Sequence, residues 1–117
     1  MGVERELMKG NLDTILLHIL LKKNAAMSAM DIAKAATVWS ESYFYINVAS
    51  LYTALTRLSA AKFIAGDPRT SALGDSSRYY TITPTGVTAL AARRARKSEL
   101  DAALETLFNY EPSEVHD

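Results

Sequence analysis

The chain has 117 residues, no cysteine, and 13 basic against 13 acidic residues, so its formal net charge is zero. That length suits a single domain with a real core, and the absence of cysteine excludes a disulfide framework and thiolate metal sites. Zero net charge excludes a protein that grips nucleic acid by bulk charge alone.

The first predicted helix runs from about Asn11 to Lys23. Leu12, Ile15, Leu16, Ile19 and Leu20 form one stripe at helical spacing, with Leu17 and Leu21 beside it. The stripe is wider than one packing partner requires, so this helix is expected to be deeply buried or shared between a core and a subunit contact. Its apolar runs are broken by His18 and stopped by Lys22-Lys23, too short for a membrane span of ~20 residues. With no signal peptide visible, a soluble cytoplasmic protein without a membrane partner is expected. His18 reads as a partly exposed helix residue.

Asn24 to Met27 is a connection. Ser28, followed three residues on by Asp31, resembles a capping box and opens a helix over about 29–37. Residues 38–46, Val-Trp-Ser-Glu-Ser-Tyr-Phe-Tyr-Ile, hold four aromatics. They read either as a loop closing over the core or as a lining for a small aromatic ligand, in which Trp39 and Tyr43 lead and Phe44 and Tyr45 follow. Asn47 is a good N-cap for a third helix over about 48–61. Val48, Leu51, Leu55 and Leu58 make its apolar face. Ser50, Thr53, Ala54 and Arg57 make the opposite one, flanked by Tyr52 and Thr56.

Phe63-Ile64-Ala65 reads as a short strand. Gly66-Asp67-Pro68 and the segment 73–77 carry turn chemistry, and Arg78 to Thr83 alternates as a second strand, the two pairing as a hairpin. Thr83-Pro84 is a sharp helix start, and a long helix is predicted from Pro84 to about Phe108, with Gly86 as an early weak point. Its later stripe, Leu100, Leu104 and Leu107, extends beyond what a small core covers and needs a partner. Arg93 to Lys97 is a basic run, residues 98–117 carry only acidic charges, and the tail 111–117 is expected to fray.

Three helices, a hairpin and a long helix make a mainly α chain: a winged helix-turn-helix over 1–83, a C-terminal helix over 84–110 and a flexible tail over 111–117. In that layout the third helix is presented outward, and a DNA major groove is wide enough to take it. Asn47, Ser50, Tyr52, Thr53, Thr56 and Arg57 then become candidates for base and phosphate contacts, with Arg69 and Arg78 of the hairpin beside the adjacent backbone. The bland alternative is a solvated helix face.

Three motifs are similar to those of the PadR-family transcriptional regulators of the compact type. They are Lys9-Gly10-Asn11-Leu12-Asp13, then Ser50-Leu51-Tyr52-Thr53-Ala54-Leu55-Thr56-Arg57-Leu58, then Arg78-Tyr79-Tyr80-Thr81-Ile82-Thr83-Pro84-Thr85-Gly86. The resemblance covers about residues 7–108. It implies a homodimeric repressor on a palindromic operator, released in some relatives by a small aromatic or lipophilic ligand. It also implies that the C-terminal helix (Leu100, Leu104, Leu107, Phe108) packs against the partner's first helix (Leu12, Leu16, Ile19). The chain departs from the family where a glycine commonly ends the recognition helix, since Ala61-Lys62 stand there. Thr70 to Ser77 also lacks the Arg and Lys common in family wings.

No catalytic set, cofactor motif or metal-ligand spacing is present in the sequence, so an enzyme is not expected. Zero net charge and the poorly basic wing motivate one alternative function, a winged helix module that works by protein contacts without binding DNA.

Overall fold

The computed structural model describes residues 10–70 and 76–112. Four helices and three strands follow in the order α1 (Leu12–Lys23), β1 (Met27–Ser28), α2 (Ala29–Trp39), α3 (Val48–Ala60), β2 (Ile64–Thr70), β3 (Ser76–Ile82) and α4 (Pro84–Phe108). The strands form one antiparallel sheet in the order β1-β3-β2, with Ile64 opposite Ile82, Gly66 opposite Tyr80, and Met27 also opposite Tyr80. β1 was not expected. Two residues are too short to show any alternation, and only pairing with β3 defines them as a strand. Residues 1–9, 71–75 and 113–117, which include Lys9 and most of the tail expected to fray, lie outside the described residues.

The helix ends follow local chemistry. At α2, the Asp31 N–H donates to Ser28 Oγ (3.2 Å) and the Ser28 N–H donates to Asp31 Oδ2 (3.1 Å), a complete capping box. At α3, the Ser50 N–H donates to Asn47 Oδ1 (3.1 Å). At α4, the Gly86 N–H donates to Thr83 Oγ1 (3.0 Å), with Pro84 in the first turn. α1 ends on Asn24 in the left-handed conformation, which asparagine tolerates.

α1 lies at the centre and packs against α2, α3, α4 and β3. That position explains the width of its stripe. Leu16, Leu17, Ile19 and Leu20 are all buried among Ile32, Leu51, Leu55, Leu58, Ile64 and Leu90. Each such side chain contributes roughly 1.5–3 kcal/mol by leaving water. Leu16 and Ile19, expected at a subunit contact, are not available for one. At 0% and 3% exposed they are consumed by the chain's own core. Leu12 and Ile15 are half-buried, and Leu21 is exposed.

The aromatic segment also differs from one expectation. Trp39, Tyr43 and Tyr45 face solvent, so they do not close over the core; Phe44 is half-buried, and Ile46 packs against the core. The segment is ordered by its own polar groups. Thr37 Oγ1 donates to the Phe44 carbonyl (2.9 Å), the Phe44 N–H donates to Ser40 Oγ (2.9 Å), and the Ser42 N–H donates to the Thr37 carbonyl (2.8 Å). Glu41 and Ser42 both take positive φ to make the turn. The Tyr43 and Phe44 rings meet edge to face at 5.2 Å.

Candidate nucleic-acid interface

α3 turns about 100° per residue, and its burial divides it cleanly. Leu51, Ala54, Leu55 and Leu58 are buried, whereas Ala49, Ser50, Tyr52, Thr53, Thr56, Arg57 and Ala60 are exposed. Two residues change sides relative to the sequence reading. Ala54 is 0% exposed and belongs to the buried face, and Val48 is 56% exposed because the first turn of α3 projects past the core. The outermost line of the helix is therefore Ala49, Thr53, Thr56 and Ala60, all small. A helix faced by such residues allows a duplex to approach closely. Its hydroxyls both donate and accept hydrogen bonds.

The two flanks of that line differ. On the α1 flank, Arg57 is not free. Its Nε and Nη2 form a bidentate pair with Asp13, the Nε contact measuring 3.1 Å. The hydrogen bond with Asp13 holds the Arg57 guanidinium above its ordinary pKa. Arg93 of α4 stands 3.8 Å from the same carboxylate, so Asp13 joins α1, α3 and α4. Sequence reasoning missed this pairing. Arg57 and Asp13 are 44 residues apart, and no periodicity links them.

On the other flank an open groove of about 490 Å³ separates α3 from the hairpin. Thr56, Ser59 and Lys62 line the helix side, and Gly66, Arg78 and Tyr80 line the sheet side. Arg78 Nη1 donates to the Gly66 carbonyl (3.2 Å), so its side chain lies along the sheet. Gly66 makes room for it, because a Cβ there would meet Arg78 Cδ at 2.8 Å. Burial holds the Tyr80 phenol above its ordinary pKa, against the opposing influence of the Arg78 guanidinium. The side chain of Arg69 lies outside the described residues.

Lys62 is a second residue that sequence reasoning missed as a site member. It takes φ 66°, the left-handed position at the end of α3. The Phe63 N–H donates to the Leu58 carbonyl (3.0 Å) and the Lys62 N–H to the Ser59 carbonyl (3.0 Å), closing the helix as a glycine would. The signal was present in the sequence as a lysine where a glycine is usual. Its consequence, an ammonium at the mouth of the groove, appears only in three dimensions. Thr83 Oγ1 donates to the Lys62 carbonyl (2.7 Å) and secures this turn to the start of α4.

The remaining candidates are spread out. Asn47 spends its carbonyl oxygen on the helix cap. Trp39 and Tyr43 stand on the surface and do not line the groove. Leu100, Leu104, Leu107 and Phe108 project along the exposed half of α4. Among the described residues, no three metal-binding side chains come together, and no helix is long and apolar enough to cross a membrane.

The three-helix core, the outward α3 and the paired hairpin are the parts of a winged helix. Residues 16–92 match the transcriptional regulator PadR-like family. The chain belongs to that family. Its fold is shared with solved PadR-type regulators and other transcriptional regulators. One, a transcriptional regulator from Clostridium thermocellum, is 22% identical with a TM-score of 0.75, covering 92% of this chain and 99% of its own. A PadR family regulator from Eggerthella lenta is 20% identical with a TM-score of 0.79, covering 91% of this chain and 88% of its own. PadR from Bacillus subtilis, solved in complex with operator DNA, is 18% identical with a TM-score of 0.61, over 87% of this chain and 49% of its own. No curated protein sequence matches the chain. In that fold α3 is the outward third helix, and the β2–β3 hairpin is the wing.

Proposed function

We propose that this PadR-family regulator is a homodimeric repressor that places α3 in the major groove of a palindromic operator. The observation that carries the reading is the outer face of α3. Ser50, Thr53, Thr56 and Tyr52 are polar, exposed and unused by the core, on a helix whose other face is fully packed. Hydroxyls at that spacing suit base edges and phosphates, and the groove cations Lys62 and Arg78 suit the flanking backbone. The Bacillus subtilis relative, which carries operator DNA, supports duplex DNA as the partner class.

Dimerisation is proposed through the second half of α4, with Leu100, Leu104, Leu107 and Phe108 laid against the partner's α1. On α1 only Leu12, Ile15 and Leu21 retain apolar surface for it. The reading unit then extends from the expected 1–83 into the first half of α4, where Leu90 is buried, and the assembly unit is the exposed half of that helix from Arg94. Two reading helices related by a two-fold axis require an operator with matching half-sites. A small aromatic or lipophilic effector remains part of the proposal, and Trp39 fluorescence is its direct reporter.

The test is a titration of the duplex just upstream of the coding region at two salt concentrations, with Tyr52→Ala and Thr53→Ala variants in parallel. Specific binding that weakens as salt rises, and that falls in both variants with the dimer intact, supports the reading. Absence of salt-dependent binding to any duplex favours a winged helix that works by protein contacts.

A further inference from the structure

Arg57 is the one arginine of α3, and it stands beside a face otherwise made of small neutral side chains. A guanidinium free to move there would bind the phosphates of any duplex, because phosphate contacts carry no sequence information. The structure holds it elsewhere. The Nε–Nη2 edge of the guanidinium is committed to Asp13, whose side chain is 13% exposed while that of Arg57 is 53% exposed. Releasing Arg57 leaves a largely covered carboxylate with, among the described residues, only Arg93, at 3.8 Å, to balance it. The planar fork is already matched bidentately by the carboxylate, so a phosphate gains it only by displacing an existing pair.

We infer that Asp13 is a specificity-determining residue that withholds Arg57 from phosphate contact. It thereby limits the affinity of this protein for DNA of the wrong sequence. Asp13 touches no nucleic acid itself; it acts through Arg57. The pairing removes one mobile cation from the rim of the reading face and leaves discrimination to Ser50, Tyr52, Thr53 and Thr56. The inference rests on the DNA-binding reading of α3.

The experiment measures the salt slope of binding to a duplex of arbitrary sequence, and to the upstream duplex, for wild type, Arg57→Ala, Asp13→Asn and the double variant. Arg57→Ala is expected to leave the slope unchanged. Asp13→Asn is expected to steepen it by about one and to raise affinity for the arbitrary duplex roughly fivefold to tenfold near 0.1 M salt. The double variant is expected to return to the wild-type slope, which identifies Arg57 as the released cation. Three results each overturn the inference alone: a slope about one shallower in Arg57→Ala, an unchanged slope in Asp13→Asn, or a steep slope retained in the double variant. Wild-type protein that binds no duplex at low salt overturns the DNA reading and this inference together. If Asp13→Asn does not fold, Asp13→Ala carries the same test, and a slope about one shallower in Arg57→Ala still overturns the inference.

Discussion

The two halves of α4 have the same secondary structure for different reasons. In the first half, Thr83 caps the helix, Leu90 is buried in the core, and Arg93 reaches Asp13 on α1. From Arg94 onward every residue of the helix is exposed, although the helix continues to Phe108. The first half is held by contacts within one chain. Among the described residues, the second half has only its own hydrogen bonds and ion pairs such as Lys97–Asp101 (3.7 Å), which contribute little at a surface. A regular helix therefore does not by itself reveal which surface stabilises it. The exposed leucines of the second half are the apolar surface left for a partner.

The largest expected break of this comparison lies at the start of α4. A Cβ on Gly86 would meet the Phe63 carbonyl oxygen at 2.0 Å, and backbone cannot swing aside as a side chain can. Gly86→Ala is expected to cost about 3 kcal/mol, read as a lower midpoint in urea unfolding. The contrast with Gly66 is instructive. Its nearest neighbour is the flexible end of Arg78, so the same substitution there is expected to cost much less.

Paired truncations sharpen the comparison directly. Leu90→Ala is expected to destabilise the protein by about 3 kcal/mol, by a similar amount at low and high protein concentration. Leu104→Ala is expected to act mainly on association. Its cost grows with protein concentration in thermal melts, and the sedimenting mass falls toward that of one chain. Leu104→Ala with unchanged melts and unchanged sedimenting mass at every concentration would mean that the second half of α4 packs on nothing in solution.

A smaller effect is expected at the junction of α3 and the wing. Lys62→Gly removes the left-handed penalty of a side chain, about 1 kcal/mol, partly offset by the greater freedom of glycine when unfolded. The net expectation is stabilisation by about 0.5 kcal/mol, together with a salt slope of duplex binding that is shallower by about one. Higher stability with weaker binding in one variant would show that the lysine is kept for its charge. Unchanged binding would remove Lys62 from the interface.

The smallest expected effect is one of pH. Burial, then Arg94, then Lys22 push His18 below its ordinary pKa. Its folded state therefore binds fewer protons than the unfolded state through the acid side of the imidazole range. Stability from this residue is complete above that range and declines as pH falls from about 7 to about 5. His18→Gln is expected to flatten that decline in unfolding midpoints measured across the interval. A steeper decline would mean that the imidazolium finds an acidic partner in the assembled protein.

Much of the fold was legible in the sequence because its signals are local. Ser28 with Asp31, Asn47, and Thr83 with Pro84 marked three helix starts that the structure keeps. The alternation of Arg78 to Ile82 marked a strand, and the 51, 55, 58 spacing marked the packed face of α3. The site was less legible. Ala54 was assigned to the wrong side because alanine has no strong preference for either. β1 escaped notice because two residues carry no pattern.

What the amino-acid sequence determined alone is the order and the ends of the elements, since capping, turn chemistry and helical spacing act over a few residues. The family motifs were readable for the same reason. Tertiary structure alone decided which cations are free. Asp13 takes Arg57 across 44 residues of chain, and β3 carries Arg78 over Gly66. It also decided that the broad stripe of α1 is filled by its own chain, because burial depends on how many elements surround a helix. Charge pairing and burial are set by distance in space, which a one-dimensional pattern does not contain.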